Sequence, residues 1–419
     1  MEIAEWLLWF ELCAALGEVM RVLLSAYACE PGRGSEPEVG WQRALHMLPF
    51  AEEVWVLTRS NNKNVIESNL LSHDAGLHFI YYDLPGWALK LKKLSWFFPI
   101  YVFLWQWGAY CLAARIHRDL PFNAVYHVTF ASMQFGSFMG RLGIPFIIGP
   151  IAGGERAPVR LRRSMPVYGR IIELLRDLRI LLQRYNPVAR AAFAAAERIY
   201  VTTNESLKLI PPRWRAKTRV QLAIGTIDNA KQITDRRLPE YPRFIYAGNL
   251  QYLKGLHFAI KALAVAKASI PDATLTIIGD GRARKWLGTV AKRCGVSNSV
   301  EFVSSIPRQR LIGSFSSYTA LVFPSLHDSG GMVVLEALSQ GLPVICLDLG
   351  GPGVMVNDSC GYVIPAKDHN EFHIVTGIAN AMVSLASLTR SEHERISKMA
   401  FARTTQLSWF NLTERVVRS

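Results

Sequence analysis

Runs of four to six apolar, often β-branched residues recur along this chain, separated by longer segments with helical spacing. In the first half they are Val22–Ala26, Val54–Thr58, His78–Tyr82, Val125–Thr129, Pro145–Ile148 and Ile199–Thr202. The second half repeats the rhythm at Phe244–Ala247, Leu275–Ile278, Val300–Val303, Leu321–Phe323, Val344–Leu347 and Tyr362–Ile364. A strand that is apolar throughout is buried on both faces, the condition of a parallel sheet covered by helices. Two such sets in succession predict an α/β protein of two doubly wound Rossmann-like domains. Periodicity breaks between Gly225 and Arg243, where Asp228, Asn229, Asp235, Pro239 and Pro242 gather. The expected division is a first domain over 20–228, a linker over 229–242, a second domain over 243–395 and a last segment over 396–419. Ligands of such sheets lie beyond the carboxyl ends of the strands, so two domains facing each other would place the site in the cleft between them.

Two apolar stretches raise the question of a membrane. Residues 1–19 are apolar apart from Glu2, Glu5, Glu11 and Glu18, whereas a secretory leader opens with basic residues. Met20 precedes the first strand directly, so 1–19 reads as an extension and Met20 as a candidate start. The second stretch, Leu94 to Ala114, is uncharged and flanked by Lys92, Lys93, Arg115 and Arg118. It is long enough to span a bilayer, but Pro99, Gln106 and Gly108 interrupt it. A helix that is buried, or that lies on a membrane surface, is the expectation.

Composition narrows the class. Of the 419 residues, 50% are hydrophobic and 19% charged, the balance of a packed globular chain of two to three domains. Six cysteines (Cys13, Cys29, Cys111, Cys294, Cys346 and Cys360) never form a C-x-x-C pair. That argues against a zinc ribbon or a disulfide framework and fits a reducing cytoplasm. The net charge is +14. In the first half the excess sits in residues 156–190, where nine arginines face only Glu173 and Asp177. Arginines with apolar residues between them suit an anionic surface such as lipid headgroups, or a solvated amphipathic face. No RNP, helix-turn-helix or zinc-finger signature accompanies them, so no nucleic-acid partner is expected.

A nicotinamide enzyme is disfavoured. Gly32 and Gly34 follow the first strand without completing G-x-G-x-x-G, and the second strand ends Thr58-Arg59 where an acid should hold the ribose. Three other spots concentrate chemistry. Gly248-Asn249-Leu250-Gln251-Tyr252-Leu253-Lys254-Gly255 runs from a strand end into a helix, where an ammonium is misplaced against the dipole unless it serves an anion. Ser325 to Leu338 passes through His327, Asp328, Ser329, Gly330, Gly331 and Met332 into an apolar helix whose one charge is Glu336. Free N–H groups at that helix start suit an anion, and the glycines allow close approach. The Glu336 carboxylate can hold a vicinal diol such as a ribose, or pair with a basic residue elsewhere. The third spot, Leu349 to Gly353, is a turn expected beside the second.

Together these residues resemble the retaining glycosyltransferases of family 4, also called glycosyl transferases group 1, which have the two-domain GT-B fold. The resemblance covers about residues 20–415. Gly248–Gly255 is similar to the family pattern G-R-L-x-x-x-K-G, and Asp328 to Glu336 aligns with E-x7-E. Ser25–Pro31 and Gly149–Glu155 look like a bacterial polysaccharide branch of the family, and Leu407-Ser408-Trp409 like the F-S-W from which the last helix returns to the first domain.

The resemblance implies roles. Lys254 would neutralise the donor diphosphate, Glu336 would hold the ribose, Asp328 would bind sugar hydroxyls, and Gly330, Gly331 and Met332 would offer backbone to sugar or phosphate. Gly32 and Gly34 would form a loop facing the donor, and His127, read as a strand-end residue, would sit near acceptor and reacting sugar. Two positions depart from the pattern: Asp328 replaces a Glu, and Asn249 replaces the Arg that shares the diphosphate, so another basic residue or the helix dipole must compensate. The expected enzyme is a hexosyltransferase without metal or bound cofactor, with a UDP- or GDP-linked sugar as co-substrate. Its acceptor would be a lipid-linked or growing glycan in cell-surface polysaccharide synthesis. It would work in the cytoplasm, peripheral on the inner membrane through 156–190. The alternatives are a GT-B epimerase and a non-catalytic nucleotide-sugar-binding subunit.

Overall fold

In the computed structural model, residues 19–71, 74–94, 96–226 and 239–418 are described. The 1–19 extension, but for its last residue, and the 229–242 linker up to residue 238 lie outside them. Among the described residues thirteen strands form two sheets, and every pairing is parallel.

The first sheet holds β1 (Arg21–Ala26), β2 (Glu53–Thr58), β3 (Leu77–Tyr81), β4 (Ala124–Thr129), β5 (Phe146–Ile151), β6 (Arg198–Val201) and β7 (Thr218–Val220), in the order β3-β2-β1-β4-β5-β6-β7. The second holds β8 (Arg243–Ala247), β9 (Thr274–Ile278), β10 (Val300–Val303), β11 (Ala320–Phe323), β12 (Val344–Leu347) and β13 (Gly361–Ile364), in the order β10-β9-β8-β11-β12-β13. Both are doubly wound, as the two sets of apolar runs predict. All of β4 and β5 is buried, which is why these strands lack alternation. Each fully buried Val, Leu or Ile contributes roughly 1.5–3 kcal/mol. Only β7 went unpredicted: it is a three-residue edge strand whose Arg219 and Val220 are exposed, so it carries no apolar run.

The uncharged 94–114 stretch lies largely within a helix, Phe98–Asp119. Tyr101, Val102, Trp105, Ala109 and Ala113 recur at helical spacing and are wholly buried in the first core, while Ile100, Phe103, Leu104 and Trp107 are exposed. No single helix among the described residues is long and apolar enough to cross a membrane.

By packing, the chain forms two units whose boundaries differ from a simple halving. Among the described residues, one comprises those within 19–154, 179–224 and 409–418, and the other those within 155–178, 225–226 and 239–408. The arginine-rich 155–178 segment thus belongs with the second sheet rather than the first domain. Glu173 reaches His327 at 3.1 Å, and Arg160 Nη1 donates to the Asp368 carbonyl at 2.7 Å. The terminal segment also divides. The helix Arg390–Gln406 stays in the second unit, where Arg403 donates to the Val354 and Met355 carbonyls. Only Trp409–Arg418 belongs to the first unit, with Trp409 buried and Thr413 Oγ1 accepting from Arg43 at 3.1 Å.

Candidate functional site

The loops after β8, β11 and β12, three neighbouring strands of the second sheet, meet at their carboxyl ends. Gly255 is left-handed (φ 65°), and a Cβ there would lie 2.1 Å from the Pro324 carbonyl oxygen. Leu326 N donates to Leu253 O at 2.9 Å, so the first two loops pack backbone to backbone. At Gly350 (φ 63°) a Cβ would fall 2.2 Å from Asp328 O, and Gly351 N donates to that same oxygen at 2.7 Å. The turn at Leu349 to Gly353 therefore sits beside Asp328, as its place after the next strand predicts. Only glycine permits both the left-handed angle and the contact.

This convergence brings Lys254 and Asp328 together. The Lys254 ammonium lies 2.5 Å from Asp328 Oδ2, and the two side chains are 17% and 18% exposed. Asp328 Oδ1 accepts from Gly330 N at 3.3 Å. The lysine that looked misplaced at a helix start is neutralised by the aspartate. Glu336, 12% exposed, accepts from Arg308 Nε at 2.5 Å, and the half-exposed arginine comes from the helix Arg308–Ser314 that follows β10. Glu336 is thus the ion-paired carboxylate that the sequence left open, with a partner that remains accessible. Gly331 (φ 77°) opens the helix Met332–Ser339, and Gly330, Gly331 and Met332 are half-buried at its start.

Asn249 is exposed and borders a cavity of about 470 Å³, which is also lined by Glu173, Gln251, Tyr252, Gly281 and Arg282. Arg282 Nη1 donates to Tyr168 Oη at 2.9 Å. This arginine follows β9 by way of Gly279-Asp280-Gly281, and it is a cation on the cavity that the residue at 249 does not supply. Sequence reasoning passed over it, although its place just beyond a strand end was the available signal. It also counted Glu173 only as a counter-charge. Glu173 is buried, shares its Oε1 with His327 Nε2, and its Oε2 has no hydrogen-bond partner. No local pattern links two positions so far apart in the chain. Among the described residues, no three His, Cys, Asp or Glu side chains gather as a metal-binding group.

Residues 228–382 match the family model described as glycosyl transferases group 1. That segment belongs to this family. Among curated proteins, the glycogen synthase of Mycobacterium tuberculosis is 30% identical over 166 residues, 39% of this chain and 39% of its own. A D-inositol 3-phosphate glycosyltransferase of Corynebacterium urealyticum is 26% identical over 220 residues, 50% of this chain and 47% of its own. The chain thus spans about two-fifths to half of the curated relatives it matches. Solved structures cover nearly all of it at low identity. The lipopolysaccharide outer core galactosyltransferase WaaB in its apo form covers 95% of this chain and 98% of its own, at TM-score 0.60 and 13% identity. Anabaena HepE in complex with UDP and glucose gives 95%, 98%, 0.55 and 15%. These likenesses show the GT-B fold.

Asn249, Lys254, Asp328, Gly330, Gly331, Met332 and Glu336 all fall inside the group 1 segment, and Gly32, Gly34 and His127 fall outside it. Gly32 and Gly34, left-handed at φ 71° and 73°, shape an open loop after β1 in which Gly32 N donates to Glu38 Oε2 at 2.7 Å. His127 departs from expectation. It lies within β4, not at its end, and has no exposed surface. Its Nδ1 is 2.9 Å from Ser25 Oγ and its Nε2 is 3.4 Å from Gln106 Nε2. Burial lowers its pKa to about 4, so the imidazole is neutral at pH 7. It packs as a core histidine, because the apolar run Val125–Thr129 continues past it as buried strand.

Proposed function

We infer that the chain transfers a glycosyl group from a nucleotide sugar to a hydroxyl of a lipid-linked or growing glycan, with retention of configuration and without a metal. The observation that carries this reading is the Lys254–Asp328 pair, poised where a strand end meets the glycine-rich start of Met332–Ser339 within the group 1 segment. A donor diphosphate would draw the Lys254 ammonium from Asp328, which frees a carboxylate for hydroxyls of the sugar. As the bond from the sugar carbon to the diphosphate oxygen breaks, the carbon becomes oxocarbenium-like and negative charge grows on the leaving group. Lys254 and the N–H groups at Gly331 and Met332 would stabilise that charge. The acceptor oxygen bonds to the sugar carbon and its proton passes to the departing diphosphate. Glu336 would accept two hydroxyls of the ribose, and Arg282 would stand in for the missing arginine at 249. The UDP and glucose bound in the HepE structure support a uridine nucleotide as donor.

The membrane side of this reading has its own support. On the helix Val167–Gln183, Val167, Ile171, Leu174, Leu175, Leu178, Leu181 and Leu182 are exposed, with Arg170 and Arg179 between them. Arg162 is the exception among the arginines: it is buried on Asp177 at 2.6 Å. Basic residues interleaved with exposed leucine suit an anionic lipid surface at the cytoplasmic face. Vesicle flotation should favour anionic over zwitterionic lipid, and equal flotation would sink this part of the reading.

The donor reading is tested by thermal stability against UDP, GDP, ADP and TDP and their sugars, repeated with Glu336→Ala. A ligand at 100 times its dissociation constant adds about 2.7 kcal/mol. One nucleotide should stabilise the native protein and not the variant. No shift from any of them would refute the donor site.

A further inference from the structure

The carboxyl ends of β3, β2, β1 and β4, four adjacent strands of the first sheet, gather charged and aromatic side chains outside the donor machinery. Tyr27 follows β1, Arg59 follows β2, Asp83 lies just beyond β3 and Phe130 follows β4. Lys92, after the helix Gly86–Leu91, and Tyr101 complete the group. Asp83 is engaged: its Oδ1 accepts from Arg59 Nε at 3.2 Å and Tyr101 Oη at 3.0 Å, and its Oδ2 from Ser60 N at 3.0 Å. Lys92 has no carboxylate within ion-pair distance among the described residues. Its ammonium lies 5.3 Å from the Tyr27 ring centre and 4.9 Å from that of Tyr101, and the Arg59 guanidinium lies 5.2 Å from the Tyr27 ring centre. Tyr27 is 3% exposed, and its Oη has no hydrogen-bond partner. Phe130 holds the left-handed angle of 56°, rare for so bulky a residue, with its ring 4.3 Å from that of Tyr27 and its N–H donated to Glu36 Oε1 at 2.5 Å.

Two cations thus share one aromatic floor on which Asp83 is ion-paired to Arg59 at 3.2 Å and Glu36 is taken up by the Phe130 N–H, so neither carboxylate pairs with Lys92. Burial, then the neighbouring Arg59, lowers the Lys92 pKa to about 8 against a weaker opposing pull from Asp83, and an anion between the two cations would relieve their opposition. The surrounding 87–107 segment exposes Trp87, Trp96, Ile100, Phe103 and Trp107, 41–66% each. We propose that Arg59 and Lys92 bind the phosphoryl group of a lipid-linked acceptor, whose hydrocarbon chain lies on the apolar surface of the 87–107 segment. Cations select the phosphate and the tryptophans its tail, a pairing that a neutral glycan would leave unused. The assignment rests on the proposed transfer to a lipid-linked acceptor.

The test is equilibrium binding to the full chain of a short polyprenyl diphosphate in non-ionic detergent, beside the matching polyprenol and inorganic pyrophosphate. The diphosphate lipid should bind at least about tenfold more tightly than either. Lys92→Met should weaken it by about tenfold and Lys92→Arg should restore most of it. Pyrophosphate binding as tightly as the lipid, polyprenol binding as tightly as its diphosphate, or undiminished binding by Lys92→Met would each overturn the assignment. Native protein that binds no phosphoryl lipid overturns it whether or not the variants fold. Nucleotide stabilisation is followed on the same samples: nucleotide binding without lipid binding defeats this site alone, and lipid binding without nucleotide binding defeats the donor reading instead.

Discussion

The two sheets share one strand order over six strands, yet the chemistry beyond their carboxyl ends is arranged in opposite ways. In the second unit charges come in neutral pairs, Lys254 with Asp328 and Arg308 with Glu336, set among glycines that expose backbone. In the first unit Arg59 and Lys92 crowd a floor of Tyr27, Tyr101 and Phe130, where Asp83 pairs with Arg59 and, among the described residues, no carboxylate pairs with Lys92. A neutral pair can open for a charged ligand and close again when it leaves, which suits a co-substrate that turns over. An unbalanced cation on aromatic rings is held at a cost until an anion arrives, which suits a site that selects its ligand. The same topology supplies strand ends in both cases, and the loop residues decide what those ends do.

Two lysines make that contrast measurable. Lys254→Met removes charge stabilisation that grows in the transition state, so transfer should fall by about a hundredfold or more, mainly in kcat. Lys92→Met removes binding of the acceptor, so its smaller loss should appear mainly as a raised KM for acceptor with kcat nearly kept. Steady-state kinetics with donor and acceptor varied separately will show it. A kcat loss at Lys92 as large as that at Lys254, or a pure KM effect at Lys254, would erase the distinction between the units.

How far the sequence reaches follows from what kind of interaction each feature needs. Twelve strands were legible because burial on both faces leaves continuous apolar runs, while β7 was not, since its edge position leaves Arg219 and Val220 in water. Lys254, Asp328 and the glycines were legible because a strand end, a turn and a helix start lie within a few residues of one another. Arg308, Glu173 and Arg282 were not, because each reaches its place through tertiary packing of loops or helices distant in the chain. His127 shows the reverse case, a strand residue whose enclosure the sequence did not reveal. It was read as a strand-end residue although the run Val125–Thr129 continues past it, and its hydrogen bonds to Ser25 and Gln106 use its ring within the core.

The smallest effect probes Asn249, one of the two positions where the group 1 pattern is broken. If Arg282 supplies the cation missing at 249, Arg282→Gln should lower kcat/KM for the donor by about tenfold, the scale of one charged contact to a phosphate. Asn249→Arg alone should change it by less than about threefold, because the charge is already present and a second guanidinium adds repulsion along with attraction. Placed on the Arg282→Gln background, the same substitution should recover most of the loss. The double-mutant cycle isolates this coupling because both side chains border one cavity of about 470 Å³. Additive effects would mean that Arg282 serves only Tyr168, and that the second unit manages its diphosphate with Lys254 and the helix start alone.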